Sequence, residues 1–205
     1  NATNSSGTVR LDAFDTSGNY VTTNSTYFQN INGVVYVADS MRRQLEAAGH
    51  EVYIFCPATG LRARHDDQHV VPFRSLKGGI YASYDVSLFF PPQTLPRIAR
   101  LQLDIIHYVS LGQIGMLAMY AGRKLGVPLV AQHCTDVYEF AAYYGVSRPI
   151  ATGMIGMLGH ALGVSPRVLR APLRNVARGD AQWRQEAVRW GTVVAYQHAD
   201  AVLAM

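Results

Sequence analysis

Short apolar runs alternate with longer segments of helical periodicity along most of this sequence, and this alternation restricts the fold more than any other feature. The run Glu51–Cys56 reads EVYIFC and stops at Pro57, and the run Asp104–Val109 reads DIIHYV. Continuous apolar strands of this kind are typical of parallel sheets covered on both faces. The helical segments between them supply the long crossovers that parallel strands require. The pattern therefore predicts an α/β fold with a mostly parallel sheet flanked by helices.

The predicted elements cover most of the chain. Between the first strand and the first helix lies a polar stretch, Asp15–Gln29, which we interpret as a long loop. Residues 147–180 are rich in Gly, Pro and Arg and show no strand pattern. The predicted strands are Thr8–Phe14, Glu51–Cys56, Val70–Phe73, Ser87–Phe90, Asp104–Val109, Pro128–Gln132 and Ala201–Met205. The predicted helices are Val34–Ala48, Leu95–Leu103, Leu111–Leu125, Asp136–Tyr144 and Trp183–His198.

Composition agrees with one globular domain in a reducing compartment. The chain has 205 residues, of which 49% are hydrophobic and 16% charged, and this excludes a disordered protein. Its two cysteines, Cys56 and Cys134, end apolar runs and are expected to be buried thiols. Residues 1–7 are polar and do not resemble a signal peptide, and no apolar run reaches the length of about 20 residues that a membrane span needs. We expect a cytoplasmic protein.

The charge of the chain is positive, +4 at neutral pH, and every basic residue except Lys77 and Lys124 is arginine. Arginine binds phosphates and carboxylates through its planar fork, so anionic partners are one interpretation. A genome that favours arginine codons is the other. Nucleic acid is not predicted as a partner, because the arginines are scattered and no recognition motif is present. No His, Cys or carboxylate spacing predicts a metal site.

Four segments, in order, resemble the retaining GT-B glycosyltransferases of the group 1, or family 4, type, which include lipid mannosyl- and glucosyltransferases. No single motif among them is specific, and their order and spacing carry the resemblance. The segments are Asn32–Val35 with Ala48–Val52 after the helix, Leu103–His107, Leu125–Val130 continuing into His133–Asp136 and Tyr143–Gly145, and Ala199–Leu203.

The resemblance implies two facing Rossmann-like domains, an N-terminal one that mainly binds acceptor and a C-terminal one that binds the donor nucleotide. Residues 1–205 would form the first domain, with an insertion at 146–180, and the donor-binding domain is absent from this sequence. The implied activity of the complete enzyme is transfer of a hexosyl group from a UDP- or GDP-linked sugar to a small-molecule or lipid acceptor. No other cofactor is implied. A non-catalytic subunit that completes its site with a partner chain is the alternative. A dinucleotide oxidoreductase is disfavoured, because no G-x-G-x-x-G follows the first strand.

The turn at Asn32 and Gly33 is the first candidate site. A glycine at a helix start lets backbone N–H groups approach a phosphate, and the helix dipole adds partial positive charge. In the family this turn faces the donor pyrophosphate. The simpler interpretation is an ordinary turn in which Asn32 caps the helix.

His133 and Asp136 form the second candidate site, at the carboxyl edge of the sheet, where open α/β sheets bind ligands. The resemblance implies that His133 contacts the donor sugar and that both residues belong to the catalytic centre. A neutral imidazole suffices for such a contact, and Asp136 alternatively caps the following helix. We interpret His107 as a core histidine bonded to the backbone. The resemblance places the acceptor beside three tyrosines, Tyr138, Tyr143 and Tyr144.

The insertion at 146–180 combines a basic helix with an apolar run. Arg167, Arg170, Arg174 and Arg178 recur at spacings that place them on one helical face, although Pro172 interrupts the series. The apolar run Ile150–Val164 precedes them. One hypothesis is a mobile flap that contacts an anionic membrane and admits a lipid acceptor. The other is a helical hairpin packed on the sheet, with its arginines solvated.

Overall fold

The structure is a computed structural model that describes residues 8–12, 19–22, 25–29, 33–57, 67–77, 85–87, 91–109, 111–133, 138, 141 and 145–204. The strands are β1 (Thr8–Asp12), β2 (Asn19–Thr22), β3 (Ser25–Gln29), β4 (Glu51–Pro57), β5 (Val70–Phe73), β6 (Ser75–Lys77), β7 (Asp85–Ser87), β8 (Ile105–Tyr108), β9 (Leu129–His133) and β10 (Ala201–Ala204). The helices are α1 (Gly33–Ala47), α2 (Pro91–Ala99), α3 (Gln113–Leu125), α4 (Arg148–Leu162), α5 (Pro166–Arg178) and α6 (Trp183–Gln197).

Six of the strands form one sheet in the order β10-β9-β8-β1-β4-β5, and every neighbouring pair is parallel. The chain therefore builds the sheet outward from β1 in one direction, through β4 and β5, and then returns to build it in the other through β8, β9 and β10. Such an order creates a switch point between β1 and β8, outside whose carboxyl ends open sheets bind ligands. The predicted fold class, a Rossmann-like domain with a mostly parallel sheet, is confirmed.

One face of the sheet is covered by α3 and α6. Phe55 of β4 and Ile106 and Tyr108 of β8, the two strands on either side of β1, share a buried core with residues of both helices. Helix α3 approaches β9 closely at Gly122, where a Cβ atom would lie 2.5 Å from Cδ2 of Leu129. A side chain at this position would collide with Leu129, so either α3 or the leucine side chain would have to move.

Helix α1 packs on β1 and β4 and is tied to the turn that precedes β5. Arg42 of α1 is 5% exposed, and its guanidinium donates to Glu46 at 2.7 Å and to Asp67 at 2.6 Å. Burial alone would raise the pKa of Asp67, but the Arg42 guanidinium and the His69 backbone N–H hold it below the usual value. This network fixes the body of the helix whose first residue is Gly33.

Three predicted elements differ from the structure. The stretch Asp15–Gln29 contains an antiparallel hairpin, β2 with β3, where we expected only a loop. The expected strand Ser87–Phe90 shares only Ser87 with β7, which pairs with β6 outside the main sheet, and residues 88–90 lie outside the described residues. The expected helix Leu95–Leu103 begins earlier, at Pro91, because a proline needs no hydrogen-bond partner in the first turn of a helix.

The segment 146–180 folds as a helical hairpin of α4 and α5, which packs against α3 and α6. Leu158 and Leu162 enter the main core. Arg123 of α3 donates to the carbonyl oxygens of Ala161 at 2.8 Å and His160 at 3.0 Å, so it satisfies two carbonyls at the end of α4. Helix α5 continues through Pro172. Of the two hypotheses for this segment, the structure shows a packed hairpin, although it packs mainly on helices α3 and α6, whereas we expected packing on the sheet.

Candidate functional site

The carboxyl ends of β1, β8 and β9 meet at one edge of the sheet, and the predicted donor residues belong to this edge. His133 is the last residue of β9, and Gly33 is the first residue of α1. Since β8 separates β9 from β1, the two strand ends lie two strand spacings apart, about 10 Å. The first N–H groups of α1 have no partner within the helix and are suited to an anionic ligand. The predicted capping residue, Asn32, lies outside the described residues.

His133 is held by a tyrosine from helix α6. Its Nδ1 lies 2.8 Å from the hydroxyl oxygen of Tyr196, and the two rings stand perpendicular, at 89°, with their centroids 5.9 Å apart. His133 is half-buried, so part of the imidazole remains accessible while one nitrogen is engaged. Because the hydrogen bond at one ring nitrogen governs the protonation of the other, this contact determines what Nε2 offers to a ligand.

The end of α6 is fixed to the sheet by two further contacts. The buried hydroxyl of Tyr108, on β8, donates to the carbonyl of Ala195 at 3.1 Å. Asp200 bonds to the first residue of β9 twice, because its Oδ2 accepts from the Leu129 N–H and its own N–H donates to the Leu129 carbonyl, both at 2.8 Å. These bonds hold Tyr196, which follows Ala195 in α6, beside β9. The segment Ala199–Leu203 therefore has a structural role in forming the site.

His107 lies on the neighbouring strand and belongs to the core, as predicted, although the partner described for its ring is the Gln132 side chain and not the backbone. It is 3% exposed, and its Nε2 has no hydrogen-bond partner among the described residues. Burial lowers the pKa of His107 to about 4, and an interaction with the Gln132 side chain opposes that shift. His107 is therefore neutral at physiological pH and is unable to reach a ligand in solvent.

The predicted acceptor tyrosines are only partly described. Tyr138 is a helical residue with 36% of its surface exposed. Tyr143, Tyr144 and the second catalytic candidate, Asp136, lie outside the described residues, as does Cys134. Cys56 is a free, buried thiol whose pKa burial raises to about 12, which agrees with the expected inert core cysteine.

Sequence reasoning missed Tyr196. The tyrosine lies 63 residues after His133, on a helix whose own periodicity gives no sign of a polar partner. Gln132 was predicted to end a strand and was given no functional role, whereas the next residue, His133, was predicted to belong to the site. Tyr196 contacts His133 only because α6 packs over β9. The order of segments in the sequence does not predict that contact.

Among the described residues, no group of three or more His, Cys, Asp and Glu side chains is arranged to hold a metal ion. The predicted donor contacts consist of a helix start and one imidazole. Such groups bind phosphate and hydroxyl oxygens through N–H donors.

A second surface lies on the α4–α5 hairpin. Arg167, Arg170, Arg174 and Arg178 are all exposed and lie within an arc of about 80° around α5. No Asp or Glu occurs in residues 140–179. Three large apolar side chains on the same hairpin are also exposed: Ile150 by 50%, Met157 by 48% and Val168 by 49%. In the part of the chain that the structure describes, no helix is long and apolar enough to cross a membrane.

Comparison with known proteins identifies related sequences. The chain is 27% identical over 138 residues to an alpha-monoglucosyldiacylglycerol synthase of Streptococcus pneumoniae, a match that covers 65% of this chain and 30% of that protein. It is 29% identical over 128 residues to a GDP-mannose-dependent alpha-mannosyltransferase of Mycobacterium tuberculosis, covering 59% and 33%. A sulfoquinovosyl transferase of Arabidopsis thaliana is 28% identical over 120 residues, covering 58% and 24%.

The matched region thus spans about a third or less of the length of these relatives. Two of the three are named as transferases, of mannosyl and sulfoquinovosyl groups, and the third as a synthase of a glucosyl lipid. The family model of Glycosyltransferase Family 4 matches residues 31–205, which include α1, five strands of the parallel sheet, His133 and Tyr196. The chain therefore belongs to Glycosyltransferase Family 4.

Proposed function

We propose that this chain is the acceptor-side domain of a glycosyltransferase that moves a hexosyl group from a UDP- or GDP-linked sugar to an acceptor. The observation that carries the proposal is the family match over residues 31–205, which includes the candidate residues of the carboxyl edge from Gly33 to His133. The donor nucleotide would be held mainly by a second domain that faces this edge. A GDP-mannose-dependent relative supports a nucleotide sugar as donor.

Each candidate residue has a distinct role in this proposal. The N–H groups at Gly33 would contact the donor pyrophosphate, and Asn32 would shape the turn. His133 would donate to an oxygen of the donor sugar, and Asp136 would accept from a sugar or acceptor hydroxyl. Tyr138, Tyr143 and Tyr144 would contact the acceptor. No cofactor besides the nucleotide sugar is needed, because the transferred group is already activated by its nucleotide leaving group.

The acceptor side of the proposal rests on the α4–α5 surface. Four exposed arginines on one arc of α5, and exposed Ile150, Met157 and Val168 on the same hairpin, supply the basic and apolar side chains that an interfacial membrane element needs. Each arginine near an anionic surface contributes about 1 kcal/mol, screened by salt. A relative is named as a synthase of a glucosyldiacylglycerol. We therefore propose a lipid acceptor and peripheral contact with the cytoplasmic membrane surface.

The transfer proposal is tested with the complete enzyme and two donors, UDP-glucose and GDP-mannose. Each is incubated with vesicles that contain diacylglycerol or phosphatidylinositol, and release of UDP or GDP is measured together with the glycosylated lipid. We expect acceptor-dependent release with one donor. In parallel, residues 1–205 alone are titrated with both donors by calorimetry. Low-micromolar binding, about −8 kcal/mol, would contradict the assignment of the nucleotide to the second domain.

Vesicle sedimentation tests the membrane proposal separately. We expect binding to anionic but not neutral vesicles, weakened by salt. The double variant Arg170→Gln/Arg174→Gln should bind less than wild type. The matched control is Arg97→Gln/Arg100→Gln, which removes the same charge from exposed positions at the end of α2. Equal loss in both variants would show a response to net charge, and the α4–α5 surface would then have no specific role.

A further inference from the structure

Helix α6 supplies the one described hydrogen-bond partner of His133 that comes from outside β9, the hydroxyl of Tyr196. We propose that Tyr196 is a positioning residue, which donates its hydroxyl hydrogen to Nδ1 of His133 and so fixes Nε2 as an N–H donor toward the sugar of the nucleotide donor. The inference rests on the proposed function, because it gives a reason for the state of His133 in that reaction.

The direction of the hydrogen bond follows from the chemistry of the two groups. A phenol is a good donor and a weak acceptor, because its oxygen lone pair is delocalised into the ring. The unprotonated nitrogen of a neutral imidazole is a good acceptor. When Nδ1 accepts, the ring hydrogen is on Nε2. A sugar offers hydroxyl and ring oxygens as acceptors, so an Nε2 that always donates matches this ligand.

The geometry restrains the ring as well as its tautomer. Tyr196 lies edge to face with His133 at 89°, so the contact opposes rotation of the imidazole about its χ2 bond. Tyr196 is in turn restrained by the residue before it, since the Ala195 carbonyl accepts from the buried Tyr108 hydroxyl at 3.1 Å. Catalytic groups held in one rotamer by such supporting contacts do not have to be ordered when the substrate binds.

The strand register explains why this helix serves His133 and not His107. Tyr108 pairs with Ala131, and side chains alternate along a strand, so Tyr108 and His133 lie on the same face, under α6. His107 pairs with Val130, on the opposite face. The tyrosine that anchors α6 and the histidine that α6 positions therefore lie on one side of the sheet.

The first test reads the imidazole directly, in the complete enzyme labelled with ¹⁵N in its histidine rings. His133 is assigned by comparison with His133→Gln. We expect Nδ1 to be unprotonated and to have the chemical shift of an accepting nitrogen. In Tyr196→Phe that shift should move to the value of a nitrogen without a hydrogen bond, whereas Tyr53→Phe, which removes a phenol hydroxyl from β4, should not change it. A proton on Nδ1 in the wild type, or an unchanged Nδ1 in Tyr196→Phe, would overturn the proposal.

The second test is kinetic. Tyr196→Phe should lower kcat about three- to tenfold with little change in KM for the nucleotide sugar, because most of the donor's binding contacts lie on its nucleotide. In a His133→Ala background, Tyr196→Phe should cause no further loss. Equal losses in both backgrounds would overturn the positioning role. If His133→Ala transfers at the wild-type rate, the proposed role of His133 itself is overturned. The NMR experiment shows separately whether Tyr196 forms the hydrogen bond to His133.

Discussion

Two histidines on neighbouring strands show how differently the two faces of this sheet are used. His107 is on β8 and His133 on β9, near the same carboxyl edge, but their side chains lie on opposite faces. His107 is 3% exposed, and burial lowers its pKa to about 4. His133 is half-buried and bonded to Tyr196. The two histidines at this edge thus differ both in the face of the sheet on which they lie and in their exposure.

The contrast predicts opposite consequences for the same substitution. His107 fills space in a packed interior, so its removal leaves a cavity and costs stability. His133 fills little core space, and its proposed value lies in one hydrogen bond toward a substrate. A role in folding and a role in transfer can therefore be separated by measuring both properties for each residue.

The largest expected effect is on the stability of the His107→Ala variant. Truncating a fully buried ring should lower the free energy of unfolding by about 3 kcal/mol. Urea unfolding, followed by circular dichroism, measures this change, and His133→Ala should lose less than about 1 kcal/mol in the same experiment. Equal stabilities of the two variants would remove the distinction between the two faces.

In the wild type, the buried His107 should make the free energy of unfolding depend on pH. Because burial lowers the pKa of His107 from 6.5 to about 4, the unfolded chain takes up a proton between these values and the folded chain does not. Stability is therefore complete above pH 6.5 and falls as the pH decreases toward 4, by a total of about 3 kcal/mol.

The control for this prediction is His107→Gln, in which the free energy of unfolding should change much less between pH 6.5 and 4. Asp67 also loses its favourable interactions on acidification, but its pKa is lowered from 3.8, so its contribution disappears only below that pH. If the stability of His107→Gln falls as steeply with decreasing pH as that of the wild type, the pH dependence comes from other groups.

At the start of α1, the same separation of folding from function is expected for Gly33. Replacing it with a branched residue, Gly33→Val, should block the approach of a phosphate to the first N–H groups and reduce kcat/KM about 100-fold or more. The melting temperature should change little. Transfer rates and thermal melting of the complete enzyme check this, with Gly33→Ala as the smaller step. Loss of activity only in proportion to loss of folded protein would favour an ordinary turn.

The main sheet could be predicted because each of its strands carries a local signal. Apolar runs such as Glu51–Cys56 and Asp104–Val109 are long enough to identify, and Pro57 ends the first of them. The hairpin of β2 and β3 was missed because its strands are short and polar, and that composition is also typical of a loop. The helix predicted to begin at Leu95 begins four residues earlier, because Pro91 and Pro92 are allowed in a first turn.

The candidate site was predictable only in part, for a different physical reason. His133 follows a strong strand, and so the edge at which it lies could be deduced. Tyr196 meets it only through tertiary packing across 63 residues of sequence. Asn32, Asp136, Tyr143 and Tyr144 lie outside the described residues and remain predictions. Contacts between distant elements depend on how a helix settles on the sheet, and no periodicity within either element carries that information.

The smallest expected effect is on transfer by His133→Ala, and it is the other half of the histidine comparison. One hydrogen bond directed at the reacting sugar contributes about 1.4 kcal/mol, so the rate should fall about tenfold while the protein remains folded. Measuring kcat and KM for the nucleotide sugar, together with thermal melting, checks both parts. His107→Ala is the matched control, since at a temperature where it stays folded it should transfer at nearly the wild-type rate. If His133→Ala transfers like the wild type and His107→Ala does not, the reacting sugar lies against the other face of the sheet, and Tyr196 serves only to hold α6 in place.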